Sequence, residues 1–116
     1  MAEEADAIVA FMGAHAEGKR LHIDEFAVAA EFQGRGLGRA ILAQVTDWAE
    51  AHGFTCLSLT TFRNVPFNAP FYASFGFVDW PAQDAPAEIR ERLISEANSG
   101  LKDRCAMRMD LHPDGA

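Results

Sequence analysis

The sequence predicts an α/β fold with a mixed sheet, because strand-like and helix-like patterns alternate along its 116 residues. Alternating apolar residues predict strands, and apolar residues at spacings of three and four predict helices. A polar, glycine-rich loop marks the change from strand to helix near residue 36. The predicted order is strand, strand, helix, strand, helix, strand, helix, strand, and the strands flanking the first helix should be parallel neighbours.

The first half of the chain is predicted to form a hairpin, a helix and a third strand. Residues 8–12 are an apolar run, residues 14–19 have turn character, and residues 21–29 alternate as a second strand. Apolar residues at helical spacing then predict a helix over residues 36–52, with Leu37, Ile41, Val45 and Trp48 forming its apolar side. Residues 54–61 follow as the third strand.

The second half is predicted to form two helices and two strands. Asn64 can cap a short helix that ends at Gly76, although Pro70 should weaken this helix because it removes a backbone donor. The remaining elements are a strand, a helix and a strand at residues 77–80, 86–98 and 105–111.

The charge and hydropathy of the chain exclude several classes of partner. A formal net charge of -7 at pH 7 argues against nucleic acid, because phosphate backbones are bound by clustered lysine and arginine. An acidic surface attracts a cationic small molecule or a basic peptide instead. No apolar stretch approaches the roughly 18–20 residues of a membrane helix. The acidic residues 1–6 differ from the basic start of a secretory signal, so we expect a cytoplasmic protein.

The two cysteines and four histidines show no pattern typical of a metal site. Cys56 and Cys105 stand far apart in predicted strands, which favours reduced, buried thiols. The histidines lack the short spacings at which paired ligands are presented, so no metal is expected.

The loop before the first helix is the most informative segment. It consists of Gln33, Gly34, Arg35, Gly36, Leu37, Gly38 and Arg39. The first amides of a helix are unpaired and carry the positive end of its dipole. Glycines let a phosphate approach the backbone, and the two arginines add positive charge, so the residues themselves predict an anion site, most naturally for a diphosphate.

Three phosphate-binding patterns compete for this loop. A dinucleotide fingerprint needs a glycine where Arg39 stands, and a P-loop needs a Gly-Lys-Ser/Thr sequence that this chain lacks. The loop instead resembles the Gln/Arg-x-x-Gly-x-Gly/Ala pattern of GNAT-superfamily acetyltransferases, with Gln33, Gly36 and Gly38 at the defined positions. A binder of another nucleotide phosphate is the weaker alternative.

The resemblance extends over residues 8–111. The stretch 26–38 resembles the strand–loop–helix unit of the superfamily, and Tyr72 followed by Gly76-Phe77 resembles its second signature. Locally the chain is most similar to arylalkylamine N-acetyltransferases. The resemblance implies a mostly antiparallel central sheet flanked by helices, acetyl-CoA as co-substrate, and transfer of its acetyl group to a primary amine.

The resemblance also implies which residues hold acetyl-CoA and which act on its thioester. Cofactor binding falls on the loop residues 33–39, on Asn64, and on the backbone of Phe26, Ala27 and Val28. A backbone N–H near Val28 would polarise the thioester carbonyl. Tyr72, the only tyrosine of the chain, matches the residue that donates a proton to the departing sulfur.

The proton of the amine would pass to His22 and Asp24, which share one face of the second strand. The arylalkylamine enzymes carry histidines at both spacings before an Ala-Val pair, so this chain would use a His–Asp pair acting through water. Glu25, on the opposite face, is a weaker candidate. The non-catalytic alternative is that both residues are solvated on an open sheet face.

The resemblance further implies a single domain, residues 1–116, that is truncated or minimal because it lacks the superfamily's first strand and first two helices. Those helices usually form the walls of the acceptor site. Without them, the sequence does not specify which small-molecule or peptide amine is the acceptor. An uncovered sheet edge favours a homo-oligomer, most simply a dimer. The alternative function is an acyl-CoA-binding module with weak or no turnover.

Overall fold

Strands and helices alternate along the chain, which confirms the predicted α/β class. The computed structural model describes residues 2–4, 7–28, 36–65 and 68–112. Its strands are β1 (Ala2–Glu4), β2 (Ala7–Glu17), β3 (Arg20–Val28), β4 (Cys56–Phe62), β5 (Val78–Asp79) and β6 (Arg104–Asp110). Its helices are α1 (Leu37–Ala51), α2 (Ala69–Phe75) and α3 (Ala87–Asn98), with a 3-10 helix at Ala82–Asp84. The sequence predicts neither β1 nor the 3-10 helix, because each has only 3 residues.

The described residues fall into two compact units. The first takes in those of Met1–Leu57 and Asp110–Ala116, and the second takes in Ser58–Met109. In the first unit the strand order is β1-β2-β3, followed by the start of β4, and in the second it is β4-β6-β5. The pairs β1–β2, β2–β3 and β5–β6 are antiparallel. Strand β3 thus lies next to β4, as predicted for strands joined by α1.

Strands β2 and β3 form a hairpin whose turn is shorter than predicted. Glu17 pairs with Arg20, so the loop consists of Gly18 and Lys19 alone. Gly18 has a φ of +61°, and a glycine at the first loop position suits a tight two-residue hairpin turn. The prediction of a turn over residues 14–19 is therefore wrong, because residues 14–17 pair with β3.

Asp24 occupies a β-bulge in β3. Gly13 pairs with Glu25 and Ala14 pairs with Ile23, which leaves Asp24 without an opposite residue. A bulge re-aims the side chain of its extra residue. Asp24 here contacts a side chain of β2.

Helix α1 has nearly the predicted limits and packs against β3. It starts after Gly36 and ends before His52. Leu42 and Ala49 are its buried residues. Trp48, which helical spacing predicts on the buried side, is 50% exposed and stacks on His52 with ring centroids 4.1 Å apart. The buried face of α1 is therefore rotated from the predicted one.

Helix α2 begins after Asn68 and not after Asn64. Because of this later start, Pro70 lies in the first turn, where no intrahelical donor is needed, and the prediction that it weakens the helix is wrong. Gly76 ends the helix as predicted, with a φ of +134°. A Cβ at this position would lie 3.2 Å from Met109 Sδ, so a larger residue would also require this side chain to shift by a few tenths of an ångström.

A buried cluster joins α3 to β6 in the second unit. Its members are Ala85, Ile89 and Ala106, with Trp80 and Leu93 packed against them. An ion pair between Arg104 Nε and Glu96 Oε1 at 3.0 Å adds a polar link between the same two elements.

Candidate active site

Gly36 marks the point where the glycine-rich loop becomes α1. Its φ of +79° lies in the left-handed region, which glycine adopts without the steric cost of a side chain. Gly36 brings no side chain to cap the helix start, and the first turn of the helix holds no acidic residue. The first amides of an α-helix have no intrahelical acceptor and carry the positive end of its dipole. The start of α1 therefore offers the features of an anion site.

Only part of the predicted loop can be placed. Gln33, Gly34 and Arg35 lie outside the described residues. Leu37 and Gly38 are half-buried in the first turn, and Arg39 is exposed. The structure therefore describes the part of the predicted anion site that belongs to the start of α1, and not the loop residues before it.

The strand that leads into the loop is paired along one edge. Phe26, Ala27 and Val28 pair with residues 10–12 of β2 in antiparallel register. The edge of this stretch that faces β2 is therefore occupied by the hairpin.

Tyr72 lies in the second unit and is fixed by aromatic neighbours. It is 8% exposed and makes edge-to-face contacts with Phe71 and Phe77, with ring centroids 5.3 and 5.5 Å away. Its carbonyl accepts a hydrogen bond from the Phe77 amide at 3.0 Å. The ring is therefore held by packing and by the backbone around it.

The surroundings of Tyr72 determine the state of its hydroxyl. Burial raises the pKa of Tyr72 to about 12, so the hydroxyl stays protonated at neutral pH. Within the described part of the chain, every fully buried side-chain nitrogen and oxygen has a hydrogen-bond partner. Tyr72 thus combines a buried ring with a hydroxyl that remains a neutral donor.

A buried hydrogen bond anchors the start of α2. The Thr61 hydroxyl donates to Asn68 Oδ1 at 2.8 Å, and Thr61 is only 3% exposed. The Asn68 carbonyl in turn accepts from the Tyr72 amide at 3.0 Å. Thr61 on β4 therefore fixes the residue from which the helix carrying Tyr72 begins.

The two predicted base residues lie in different environments. His22 is 1% exposed, whereas Asp24 is exposed. Arg20 Nη1 lies 3.5 Å from His22 Nδ1, and His15 Nδ1 donates to Asp24 Oδ2 at 2.6 Å. The alternative of two solvated side chains therefore does not hold for His22, and each residue has a charged neighbour that was not predicted.

His15 is a residue of this face that sequence reasoning missed. It pairs with His22 across the hairpin, and the two ring centroids are 5.5 Å apart. Its Nε2 donates to Glu17 Oε1 at 2.6 Å while Nδ1 donates to Asp24. The hydrogen bond to Asp24, then the one to Glu17, raises the pKa of His15 above 6.5.

A signal for His15 was present in the sequence. A two-residue turn at Gly18 and Lys19 places residues 17 and 20, and then residues 15 and 22, opposite each other. Reading residues 14–19 as a turn hid this pairing.

Two further predicted residues occupy exposed positions. Asn64 lies in the connection after β4 and does not cap α2. Glu25 follows Asp24 on β3 and is exposed, so it is reachable from solvent. The positions of Asn64 and Glu25 do not show which group either side chain would bind.

Among residues 2–4, 7–28, 36–65 and 68–112, no group of three or more histidine, cysteine, aspartate or glutamate residues could hold a metal ion. Among the described helices, none combines the length and the apolarity needed to span a bilayer.

Comparison with solved structures shows a shared fold. The ribosomal-protein-S18-alanine N-acetyltransferase from Escherichia coli is 22% identical with a TM-score of 0.71, over 97% of this chain and 68% of that one. The IAA acetyltransferase from Bacillus cereus is 17% identical with a TM-score of 0.73, over 94% and 74%. A Mycobacterium tuberculosis protein in complex with CoA is 20% identical with a TM-score of 0.72, over 96% and 74%. These structures share the mostly antiparallel sheet flanked by helices.

The sequence also matches a family model. Residues 1–77 fit the model of the acetyltransferase (GNAT) family. This match spans more than half of the 116 residues. The protein therefore belongs to the GNAT acetyltransferase family.

Proposed function

We propose that the protein transfers the acetyl group of acetyl-CoA to a primary amine of a small molecule or peptide by direct attack. The observation that carries this proposal is Tyr72, whose ring is buried and whose hydroxyl stays protonated at neutral pH. It stands four residues before Gly76-Phe77, as in the family signature. A direct transfer needs such a donor, because breaking the thioester bond leaves a negative charge on sulfur.

The start of α1 fits the diphosphate of acetyl-CoA. A left-handed glycine without a capping side chain leaves the helix amides facing the loop. Residues 33–39 would hold the diphosphate, the β3 backbone at Phe26–Val28 would pair with the extended arm, and Asn64 would bind at its side. Structures of similar fold contain CoA, which supports the same co-substrate here.

The protonation state of the Tyr72 hydroxyl determines how it would act on the departing sulfur. Its pKa of about 12 exceeds the reference value of about 8.5 for a thiol, so complete proton transfer would cost about 5 kcal/mol. Tyr72 would therefore stabilise the developing thiolate by donating a hydrogen bond. The proton that finally neutralises the thiolate then originates from the attacking amine.

The hairpin supplies groups that can take a different proton, the one that the ammonium form of the acceptor carries. An alkylamine is mostly protonated at pH 7, and exposing its free base costs about 4 kcal/mol. His22 and Asp24 would accept this first proton through water before the C–N bond forms. The neutral amine then forms the C–N bond, its nitrogen loses a second proton as the C–S bond breaks, and the thiolate gains that second proton, so the step is balanced. The net charge of -7 favours cationic acceptors such as polyamines, arylalkylamines or basic peptides.

A thiol-release assay over a panel of amines tests this function. Acetyl-CoA is held constant while arylalkylamines, polyamines and peptides are varied, and we expect release above the amine-free rate with at least one class. Calorimetry with acetyl-CoA, ATP and NAD runs beside it, and only acetyl-CoA should bind. Binding of acetyl-CoA without release on any amine would replace the enzyme by an acyl-CoA-binding module. Binding of ATP or NAD instead would overturn the co-substrate as well.

A further inference from the structure

Five charged or titratable side chains form a continuous chain on one face of the β2–β3 hairpin. In order of contact they are Asp24, His15, Glu17, Arg20 and His22. His15 is central, because both of its ring nitrogens lie 2.6 Å from a carboxylate oxygen. An imidazole that donates from both nitrogens must carry two protons, so His15 is an imidazolium in this arrangement.

The chain continues from His15 to His22 through two shared partners. Glu17 accepts from His15 with Oε1 and from Arg20 with Oε2, so it bridges the two cations. Arg20 Nη1 then approaches His22 Nδ1 at 3.5 Å. That distance is long for a hydrogen bond, so Arg20 orients the ring without occupying its lone pair fully. The direct ring contact between His15 and His22 is a second connection.

We propose that His15 is a positioning residue of the proton-accepting site, a role that rests on the function proposed above. Its imidazolium holds the Asp24 carboxylate directly. Through Glu17 it also restrains the contact between Arg20 and His22. The two residues that would take the amine's proton are thus aligned by one cation that itself need not touch substrate.

The surroundings of His15 support this assignment. The groups that face it are Glu17 on its own strand and Asp24, His22 and Arg20 on β3. Strand β1 pairs with residues 7–10, at the other end of β2. Asp24 and Glu17 raise its pKa, and no other described charge, including those of α1, contributes to the shift.

The alignment is therefore dependent on pH. Below the pKa of His15 both hydrogen bonds are present. Above it the neutral ring has one N–H and can donate to only one carboxylate. We expect the wild-type kcat to fall as pH rises through this pKa, whereas loss of the amine's own proton would raise the rate over the same range.

Two substitutions of His15 separate positioning from simple packing, and the 41% exposure of its side chain makes both structurally tolerable. His15→Gln removes the cation and should lower kcat about tenfold, the effect of one lost charge-assisted hydrogen bond, with the KM for acetyl-CoA unchanged. His15→Arg keeps a cation with several donors and should retain kcat within about twofold. His15→Arg should also abolish the fall in kcat at alkaline pH. His52→Gln, at the exposed end of α1, is the matched control and should behave as wild type.

A second measurement does not depend on activity. Histidine ring resonances followed by NMR against pH should show His15 titrating above 6.5 and the His22 ring shifting with the same midpoint. His15→Arg should abolish this coupled shift, and the His52→Gln control should keep it. Independent titration of the two rings, or equal losses of kcat in the Gln and Arg variants, would overturn the proposal. Absence of thiol release from the wild type would defeat the proposed function and with it the catalytic role of this face, whereas the coupled titration decides separately whether His15 aligns His22.

Discussion

Burial separates Tyr72 from an ordinary surface tyrosine. Its ring is 8% exposed between Phe71 and Phe77, and no described cation lowers the free energy of the phenolate. The charged form is thereby disfavoured, and the pKa rises from 10.0 to about 12. The residue keeps its proton over the whole range in which an amine acceptor could be assayed.

The raised pKa of Tyr72 can be measured directly, because it is the only tyrosine. Phenolate absorbance should reach half its maximum near pH 12 in the folded protein and near 10 in urea. Below pH 10 the two states bind the same proton, so folding stability is unaffected. Between pH 10 and 12 the unfolded state loses its proton first, so stability should fall as pH rises. A folded-state midpoint near 10 would show that the ring is not buried.

His15 provides a second titration at the residue scale. Its pKa is raised chiefly by the hydrogen bond to Asp24, so Asp24→Asn should move it back towards 6.5. In the wild type, the stability from this pair is fully present below 6.5 and lost as pH rises through the folded-state pKa. NMR titration of the His15 ring is the measurement. Glu25→Gln, at the exposed neighbouring position, is the control, and an equal shift in that variant would contradict the specific pairing.

At the scale of elements, the two ends of α1 give a matched test of the loop. Gly36 and Gly53 have φ values of +79° and +83°, and a Cβ at either position would meet nothing within 4 Å. Gly36→Ala and Gly53→Ala should each lower the free energy of unfolding by about 1 kcal/mol, because alanine is strained in this region. Only Gly36→Ala should also weaken acetyl-CoA binding, measured by calorimetry. Equal affinities in the two variants would remove Gly36 from the anion site.

The start of α2 depends on one buried hydroxyl. Thr61→Val keeps the side-chain shape but leaves Asn68 Oδ1 without its donor, which should cost about 1–2 kcal/mol of stability. Because the helix start would then be less fixed, turnover should fall while acetyl-CoA affinity is retained. Thr46→Val, which removes a half-buried hydroxyl bonded to the Leu42 carbonyl in α1, is the control. Urea unfolding and thiol release measure the two effects. The anchoring role fails if both variants lose turnover equally.

Element limits were predictable where local patterns decide them. The predicted helices 36–52 and 86–98 agree with α1 and α3 within one residue at each end, because glycine or proline and apolar spacing mark their ends. The limits of β2 and α2 could not be predicted from local patterns, because they depend on contacts with residues distant in sequence. Residues 14–17 become strand by pairing with β3, and Asn68 begins α2 by accepting from Thr61.

The residues of the candidate site divide in the same way into those that the sequence alone could predict and those that it could not. Tyr72, the glycine loop and His22 could be singled out from sequence, since each matches a residue type and spacing with a chemical reason. The burial of His22 and the contacts of His15 could not, because they arise from the register of the hairpin. A bulge at Asp24 also changes the simple alternation on which sequence reasoning relies.

At the scale of the whole molecule, the family match and the shared fold assign the chain to GNAT acetyltransferases. Under the proposed function, the net charge of -7 favours a cationic acceptor, and the anionic co-substrate would be held by local features such as the start of α1. This arrangement predicts that acetyl-CoA affinity depends on the loop and turnover depends on Tyr72.

The most direct measurement is thiol release by Tyr72→Phe beside calorimetry with acetyl-CoA. The variant removes one oxygen from a packed ring, so the fold and the affinity for acetyl-CoA should stay within about twofold of wild type. Turnover should fall about 10²-fold, because the departing thiolate loses its hydrogen-bond donor. Phe71→Leu changes the same aromatic contact without removing a donor and should keep most of the activity. Wild-type turnover in Tyr72→Phe, with acetyl-CoA bound normally, would contradict the assignment of the leaving-group donor.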